Sequence, residues 1–343
     1  MSTQQTNPRQ TKPDPNLNPY IFNLQTLPTS PLLSLRLSPI MSISNILLYF
    51  LLGYAALIIF FYAMSLVVPK AAFAARGLAS YISLLAVAAY GVLASIFLTV
   101  VGKQQIAQWA VGRCFHHVMR YTTGVEFVVE DPDNVLGTTR PAIFIGNHQT
   151  ELDVLMLGIV FPKYCSVTAK ASLKKVPFLG WFMSLSGSIF IDRKNSKDAR
   201  EAMKGAASEI QSKRQSVYMF PEGTRSYAKE PMLLPFKKGA FHLAIQAGVP
   251  IVPCVVANYS HIMHPKTLTF KSGKIPVKVL KPIPTKNLTA ADVDELTRTT
   301  RELMLNELVT LTAKARGQPM AVPASLDSTT GKSSAIDTNG SAH

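Results

Sequence analysis

A histidine followed by an aspartate five positions later is the first pair of residues in this sequence that could do chemistry. The run PAIFIGNHQTELD, residues 141–153, holds a short apolar strand and then Gly146, Asn147 and His148. Polar residues directly after a strand are where an α/β protein places its reactive groups. If His148 lies in the turn and Asp153 in the first turns of the following helix, the carboxylate can orient the imidazole and leave its other nitrogen free as a base. The alternative is that Asn147 caps the helix and His148 is a bystander.

Two later segments place an arginine at the end of a predicted strand. The apolar run SVYMF leads into PEGTRS, residues 221–226, and the run SGSIFIDR, residues 186–193, ends in Arg193. Glycine lets a backbone approach a ligand closely, and the planar guanidinium of Arg225 fits phosphate oxygens in a bidentate way. Two arginines from neighbouring strand ends would form a site for a dianion. The alternative for each segment alone is a surface turn with a solvated charge.

The cysteines and the remaining histidines do not indicate a metal site or a nucleophile. Cys114, Cys165 and Cys254 are odd in number and widely spaced, which argues against a disulfide framework or a zinc cluster and favours a reducing compartment. The histidines at 116–117, 261 and 264 have no further ligands at metal-binding spacing, so we predict no metal. Cys165 lies in an apolar strand with no neighbouring base, and the sequence has no Gly-x-Ser-x-Gly elbow.

The elements that must position these residues follow an α/β pattern from residue 103 onward. Helix-like segments cover residues 103–120, 196–213, 239–247 and 290–312, and short β-branched or aromatic runs cover residues 125–130, 142–145, 164–169, 188–192, 217–220, 251–256 and 276–280. Apolar strands separated by helices predict a mainly parallel sheet flanked by helices on both faces. Ligands of such sheets gather at the carboxyl ends of the strands, where the candidate residues stand.

The segment before residue 103 is strongly apolar. Of the 343 residues, 48% are apolar and 16% are charged, against a usual charged share of about 25%. Residues 46–68 and 77–102 carry no charge, and each run is long enough to cross a hydrocarbon core of about 30 Å. We therefore predict a disordered leader over 1–39, a two-helix transmembrane hairpin over 40–102, an α/β domain over 103–315 and a disordered tail over 316–343. The alternative for the hairpin is a pair of buried or interfacial helices.

The charge of the chain is concentrated in the predicted α/β domain. The formal net charge is +15, and residues 163–281 hold 20 Lys and Arg against 6 Asp and Glu. Such a field attracts nucleic acid, anionic membrane surfaces or phosphorylated substrates. No nucleic-acid-binding motif and no sheet of interleaved aromatic and basic residues is present, so we do not expect nucleic acid as a partner.

Taken in order, these segments resemble the glycerolipid acyltransferase family, and within it the fungal 1-acylglycerol-3-phosphate acyltransferases. The first block of the family, Asn-His and then Asp after four residues, matches residues 147–153, and the second resembles residues 187–193. The third, Glu-Gly-Thr-Arg-Ser, matches residues 222–226. The segment VPIVP, residues 249–253, by itself suits a strand end or the wall of an acyl pocket, and it matches the proline block. The resemblance covers about residues 103–305.

The resemblance implies a reaction and a role for each block. His148 would act as general base on the sn-2 hydroxyl of lysophosphatidic acid (1-acyl-sn-glycerol 3-phosphate) as it attacks acyl-CoA, and Asp153 would orient His148. No acyl-enzyme is needed, and acyl-CoA is a co-substrate, so no cofactor is expected. The product would be phosphatidic acid, for phospholipid and triacylglycerol synthesis. The residues expected to bind the acceptor phosphate are Arg193, Glu222, Gly223, Thr224 and Arg225.

The location implied is the lipid bilayer, as an integral protein of the endoplasmic reticulum membrane with a cytosolic catalytic domain, and a lipid droplet is a second location. Two alternatives remain open. One is an acyltransferase with another acceptor, such as glycerol 3-phosphate, a lysophospholipid with a larger headgroup or lysocardiolipin, which acceptor profiling would reveal. The other is a membrane-anchored lipid-binding protein, whose binding would be sensitive to salt and indifferent to His148.

Overall fold

The computed structural model describes residues 31–192 and 196–317 of the chain. The helices are α1 (Pro31–Met64), α2 (Ala71–Val100), α3 (Ala107–Thr123), α4 (Val135–Thr138), α5 (Asp153–Val160), α6 (Leu179–Leu185), α7 (Ser196–Lys213), α8 (Gly239–Ala247) and α9 (Val293–Ala315). The strands are β1 (Val125–Glu130), β2 (Ile143–Gly146), β3 (Cys165–Lys170), β4 (Ile189–Ile191), β5 (Ser216–Met219), β6 (Ile251–Val256), β7 (Met263–His264), β8 (Thr269–Phe270) and β9 (Gly273–Val279).

Seven of these strands form one sheet in the order β1-β9-β6-β2-β5-β3-β4. Every neighbouring pair is parallel except β6 and β9, which run antiparallel, so the predicted mainly parallel sheet is confirmed. The strands β7 and β8 pair separately. Because β6, β2, β5, β3 and β4 are mutually parallel, their carboxyl ends lie along the same edge of the sheet.

The sheet is covered on both faces, as the apolar strands indicate. Along β2, Ile143 and Ile145 pack in the same core cluster as Ile210 of α7, whereas Phe144 packs in a second cluster with Met156 of α5. This alternation is what the two-residue period of a strand requires when both faces are buried. The central strand β2 is therefore held rigidly between two layers of helices, and the residues that follow it are held with it.

The two apolar helices are both long enough to span a membrane. The candidate spans are Ile43–Met64 in α1 and Ala71–Val100 in α2, judged by length and composition. One stripe of α2 packs against α3 and α6, and it consists mostly of small residues at four-residue spacing: Ala71, Ala75, Ala79, Ser83, Val87, Gly91 and Ser95. The opposite face exposes large apolar side chains, including Tyr81, Leu93 and Phe97. A transmembrane hairpin stays a prediction.

The helix α2 contacts the α/β part of the chain, and the predicted domain boundaries stay predictions. Contacts divide the chain after residue 56 and place α2 in the same compact unit as the α/β sheet. Arg76 helps to explain this, because its guanidinium donates hydrogen bonds to the carbonyl oxygens of Thr123 and Phe270. The helix α1 begins at Pro31, inside the predicted leader. Residues 1–30 and 318–343 lie outside the described residues, and the predictions for them stay predictions.

Candidate active site

The predicted contact between His148 and Asp153 is present at the carboxyl end of β2. The strand ends at Gly146, residues 147–152 form the turn, and Asp153 is the first residue of α5. The Nδ1 atom of His148 lies 2.7 Å from Oδ2 of Asp153. The Asp153 carboxylate is fully buried, and the same oxygen accepts hydrogen bonds from the backbone N–H groups of Gln149 and Thr150. A buried carboxylate with this many donors is held in one orientation.

The alternative role for Asn147 does not match the structure. Its side-chain amide donates to the carbonyl oxygen of Val256, and its side-chain oxygen accepts from the Val256 N–H, at 3.0 and 2.8 Å. Leu152, the residue before α5, makes no capping hydrogen bond with its side chain, and the Thr150 hydroxyl accepts the Leu152 N–H. Asn147 therefore extends the pairing between β2 and β6 by one side chain, and it fixes the turn that carries His148.

The imidazole of His148 lies just after the carboxyl end of β2 and is partly exposed. Its ring stacks on Phe220, with the ring centroids 4.2 Å apart and an angle of 18° between the planes. About one seventh of the side chain remains exposed, at 15%. Since Nδ1 is bonded to Asp153, Nε2 is the ring atom left to exchange a proton with a bound molecule.

The block after β5 is joined to the His148 turn through Glu222. This carboxylate is buried, and its two oxygens accept hydrogen bonds from the backbone N–H groups of His148 and Leu234. Burial raises the pKa of Glu222, and those two hydrogen bonds oppose the shift. The N–H groups of Ser226 and Tyr227 donate to the carbonyl oxygens of residues 148 and 149. Two segments 74 residues apart in the sequence thus form one rigid unit.

Position 223 requires a glycine, and beside it lies Lys237, a lysine that the sequence analysis did not single out. Its φ is +70°, and a Cβ at this position would lie 2.9 Å from Cε of Lys237. The Lys237 N–H donates to the carbonyl oxygen of Pro221, which holds the lysine over the block. Lys237 stands in the run PFKKGAF, and nothing in its local pattern distinguishes it from the neighbouring Lys238. Its proximity to Gly223 in the structure distinguishes Lys237 from Lys238.

Arg225 lies at the surface of the same unit. Its Nη1 atom donates to Oε1 of Glu151 at 2.7 Å and to the Tyr227 hydroxyl at 3.2 Å. The Tyr227 hydroxyl donates to the same Glu151 oxygen. Thr224 is exposed beside it. Arg225 is therefore held near the His148 turn by an acidic partner that an incoming dianion would have to replace.

The two strands that lead to the arginines are not neighbours in the sheet, and a shared site for the two arginines stays a prediction. Arg193 would follow β4 and Arg225 follows β5, but β3 lies between these two strands in the sheet. The order of strands is set by long-range packing, which the local sequence does not reveal. Arg193 itself lies outside the described residues. The proline block leads into β6 and its last three residues form the start of that buried strand, where Pro253 is paired with Ile145 of β2.

The other reactive residue types behave as ordinary core residues. Burial raises the pKa of the Cys165 and Cys254 thiols, so both are protonated at neutral pH and are poor nucleophiles. Within the described ranges, no group of three or more His, Cys, Asp and Glu side chains could hold a metal ion. Neither observation adds a second centre to the one built around His148.

Gly146 offers a test of how closely the strand end is packed. A Cβ at this position would overlap the hydroxyl oxygen of Tyr218, which is fully buried on the neighbouring strand. We expect Gly146→Ala to lower the free energy of unfolding by about 1–3 kcal/mol, the usual effect of overpacking, and to reduce activity by displacing His148. Thermal unfolding in detergent measures the first effect. Adding Tyr218→Phe removes the overlapping oxygen and should restore most of the loss; a double variant as unstable as the single one would contradict this explanation.

Comparison with known proteins gives consistent matches. The family model described as Acyltransferase matches residues 126–257. The 1-acyl-sn-glycerol-3-phosphate acyltransferase of Saccharomyces cerevisiae is 48% identical over 219 residues, which cover 64% of this chain and 72% of the yeast protein. The human 1-acyl-sn-glycerol-3-phosphate acyltransferase beta is 38% identical over 59% of this chain and 72% of its own length. The crystal structure of the 1-acyl-sn-glycerophosphate acyltransferase of Thermotoga maritima matches with a TM-score of 0.48 and 22% identity, over 64% of this chain and 95% of that one.

Proposed function

The chain belongs to the glycerolipid acyltransferase family, and from that premise we propose that it transfers an acyl group from acyl-CoA to the sn-2 hydroxyl of 1-acyl-sn-glycerol 3-phosphate. The product is phosphatidic acid. The observation that carries the proposal is the contact between the buried Asp153 carboxylate and Nδ1 of the partly exposed His148, which leaves Nε2 as the ring nitrogen that is not bonded to Asp153. The acceptor in this proposal is the one named for the yeast and human relatives.

The proposed mechanism is a direct transfer with one general base. His148 Nε2 takes the proton of the acceptor hydroxyl as the oxygen attacks the thioester carbon. The Asp153 carboxylate stabilises the imidazolium that forms. When the tetrahedral intermediate collapses, the new ester C–O bond stays, the C–S bond breaks, and the imidazolium returns the proton to the sulfur of CoA. A thioester is already an activated acyl donor, so no covalent intermediate on the protein and no cofactor are needed.

In this proposal the block after β5 binds the phosphate of the acceptor. A phosphomonoester carries close to two negative charges at neutral pH. Arg225, the exposed Thr224 and the backbone at Gly223 are assigned to this phosphate, as is Arg193. Glu222 has a different part, because both of its oxygens accept backbone N–H groups. It supports the phosphate site by joining the block to the turn that carries His148.

Arg225→Lys tests the phosphate site. Lysine keeps the charge but loses the planar fork, so we expect the KM for lysophosphatidic acid to rise about tenfold while kcat changes little. The KM for oleoyl-CoA should stay near that of the parent. Arg298→Lys is the matched control, since Arg298 is an exposed arginine paired with Glu295 and Glu302 on α9. An acceptor KM that is unchanged in Arg225→Lys would remove this residue from the site.

The setting of the reaction is proposed from the chemistry of its substrates. Both acyl chains reside in a bilayer, and α1 and α2 are long and apolar enough to associate with one. Acyl-CoA is cytosolic, so we assign the catalytic side to the cytosolic face of the endoplasmic reticulum membrane. The basic surplus of the domain suits the CoA phosphates and anionic lipid headgroups.

The decisive experiment is an acceptor panel assayed with membranes that contain the protein. Labelled oleoyl-CoA is supplied with lysophosphatidic acid, glycerol 3-phosphate, lysophosphatidylcholine or lysocardiolipin, in parallel with membranes that contain His148→Ala. Labelled phosphatidic acid made from lysophosphatidic acid, and absent with the variant, is the expected result. Transfer to another acceptor would keep the mechanism and change the substrate. The absence of transfer to every acceptor would contradict the proposal and favour a lipid-binding protein.

A further inference from the structure

A buried tyrosine outside the sequence blocks contacts the Asp153 carboxylate directly. Tyr259 follows β6, is 1% exposed, and its hydroxyl lies 2.6 Å from Oδ1 of Asp153. The same hydroxyl accepts from the Thr150 N–H at 3.1 Å and lies 2.9 Å from the Thr150 hydroxyl oxygen. An ionised carboxylate can only accept, so the phenol proton goes to Asp153 and the Thr150 hydroxyl donates to Tyr259.

The two carboxylate oxygens of Asp153 accept hydrogen bonds from different donors. Oδ2 accepts from His148 Nδ1 and from the N–H groups of Gln149 and Thr150. Among the residues that the structure describes, Oδ1 accepts from Tyr259 alone. The three donors to Oδ2 come from the turn itself, whereas Tyr259 comes from the segment after β6, 106 residues from Asp153. The hydrogen bond from Tyr259 therefore helps to fix the rotation of the Asp153 carboxylate about its Cβ–Cγ bond.

The hydrogen bond from the Tyr259 phenol also stabilises the negative charge of the Asp153 carboxylate. Burial, and then the charge of Asp153, raise the pKa of Tyr259 well above its ordinary value, so the phenol stays a neutral donor. A hydrogen bond to a carboxylate stabilises its charge and makes it a weaker partner for a second proton-bearing group. The strength with which Asp153 holds a protonated His148 thus depends on whether Tyr259 donates.

We propose that Tyr259 is a positioning residue for acyl transfer, which orients Asp153 and limits how tightly the carboxylate holds the proton taken up by His148. The inference rests on the proposed function, because it concerns the same base. It is not visible in the sequence blocks, since Tyr259 stands after VPCVVAN and outside every one of them.

Other titratable groups face the same pair and have to be considered. Glu222 accepts from the His148 N–H, Tyr218 lies on β5 with its hydroxyl 3.8 Å from Sδ of Met156, and Arg225 lies at the surface of the turn. Burial raises the pKa of both Glu222 and Tyr218. Within the described part of the chain none of these three donates a hydrogen bond to Asp153. Tyr218 is therefore a matched control for the loss of one buried phenol oxygen.

The test is the pH dependence of kcat/KM for lysophosphatidic acid in the parent, Tyr259→Phe and Tyr218→Phe, with folding checked by thermal unfolding in detergent. Without Tyr259 the carboxylate holds the imidazolium more tightly, so the acid limb should move to higher pH by about half a unit. The plateau at higher pH should fall about tenfold, because the carboxylate loses its fixed orientation. Tyr218→Phe should keep the limb of the parent. A purely structural role would lower the plateau without moving the limb.

A second variant keeps the inference testable if Tyr259→Phe does not fold. Thr150→Val leaves the phenol in place but removes the hydroxyl that donates to it, which weakens its own donation to Asp153. We expect a smaller limb shift in the same direction. If the parent is active, two results would overturn this inference alone. One is a folded Tyr259→Phe variant whose acid limb lies at the same pH as that of the parent, and the other is a Tyr218→Phe variant whose acid limb shifts equally. An inactive parent would overturn the proposed function and this inference with it.

Discussion

Replacing His148 with alanine should abolish detectable acyl transfer and leave the fold intact. General base catalysis typically contributes about 10²–10⁴-fold to a rate, and kcat/KM for lysophosphatidic acid should fall by at least that much. The fold survives because Asp153 keeps its bonds from the N–H groups of Gln149 and Thr150 and from the Tyr259 hydroxyl. The ring of His148 is partly exposed and stacks on Phe220. Its removal therefore opens little of the core.

The measurement combines initial rates with thermal unfolding in the same detergent. His242→Ala is a suitable control, because His242 is exposed on α8. It should retain the activity and the unfolding temperature of the parent. If His148→Ala kept a rate within a fewfold of the parent, His148 would not be the base. If it unfolded at a much lower temperature, the loss of activity would carry no information about chemistry.

The site was predictable from sequence where its geometry is local. His148 and Asp153 are joined by one turn between β2 and α5, so their spacing and the strand pattern are enough to bring them together. The same holds for the mainly parallel sheet, since apolar strands between helices have few other arrangements. The blocks after β2 and β5 then meet because both follow parallel strands at the same edge, and these two strands are neighbours.

The predictions failed or stopped where strand order and burial decide the geometry. The strand β3 lies between β4 and β5, so the two strands that lead to the arginines are not neighbours, and no local pattern gives that order. Glu222 was assigned to the substrate phosphate, yet the structure turns it inward to backbone N–H groups. Tyr259 and Lys237 reach the site from distant segments, so their contacts depend on the completed fold. The packing of α2 on α3 could not be predicted for the same reason. A stripe of small residues indicates that another element approaches closely, but it does not identify that element.

Asp153→Asn separates the charge of the carboxylate from its shape. Three donors face Oδ2 and one faces Oδ1, so the amide nitrogen of asparagine is accommodated best at the Oδ1 position, where the Tyr259 hydroxyl can rotate to accept from it. The side-chain oxygen then still receives Nδ1–H, and the orientation of His148 is kept. What is lost is the negative charge that stabilises the imidazolium during transfer.

We expect this variant to lower kcat/KM for lysophosphatidic acid by about 10²–10⁴-fold with a near-normal unfolding temperature. Any residual activity should have its acid limb at lower pH than the parent, because a neutral amide holds the proton on His148 less tightly. This direction is opposite to that of Tyr259→Phe, where the carboxylate is retained and one of its donors is removed. Residual rates followed against pH in both variants measure the two directions. Limbs that moved the same way would show that Asp153 does not act through its charge on His148.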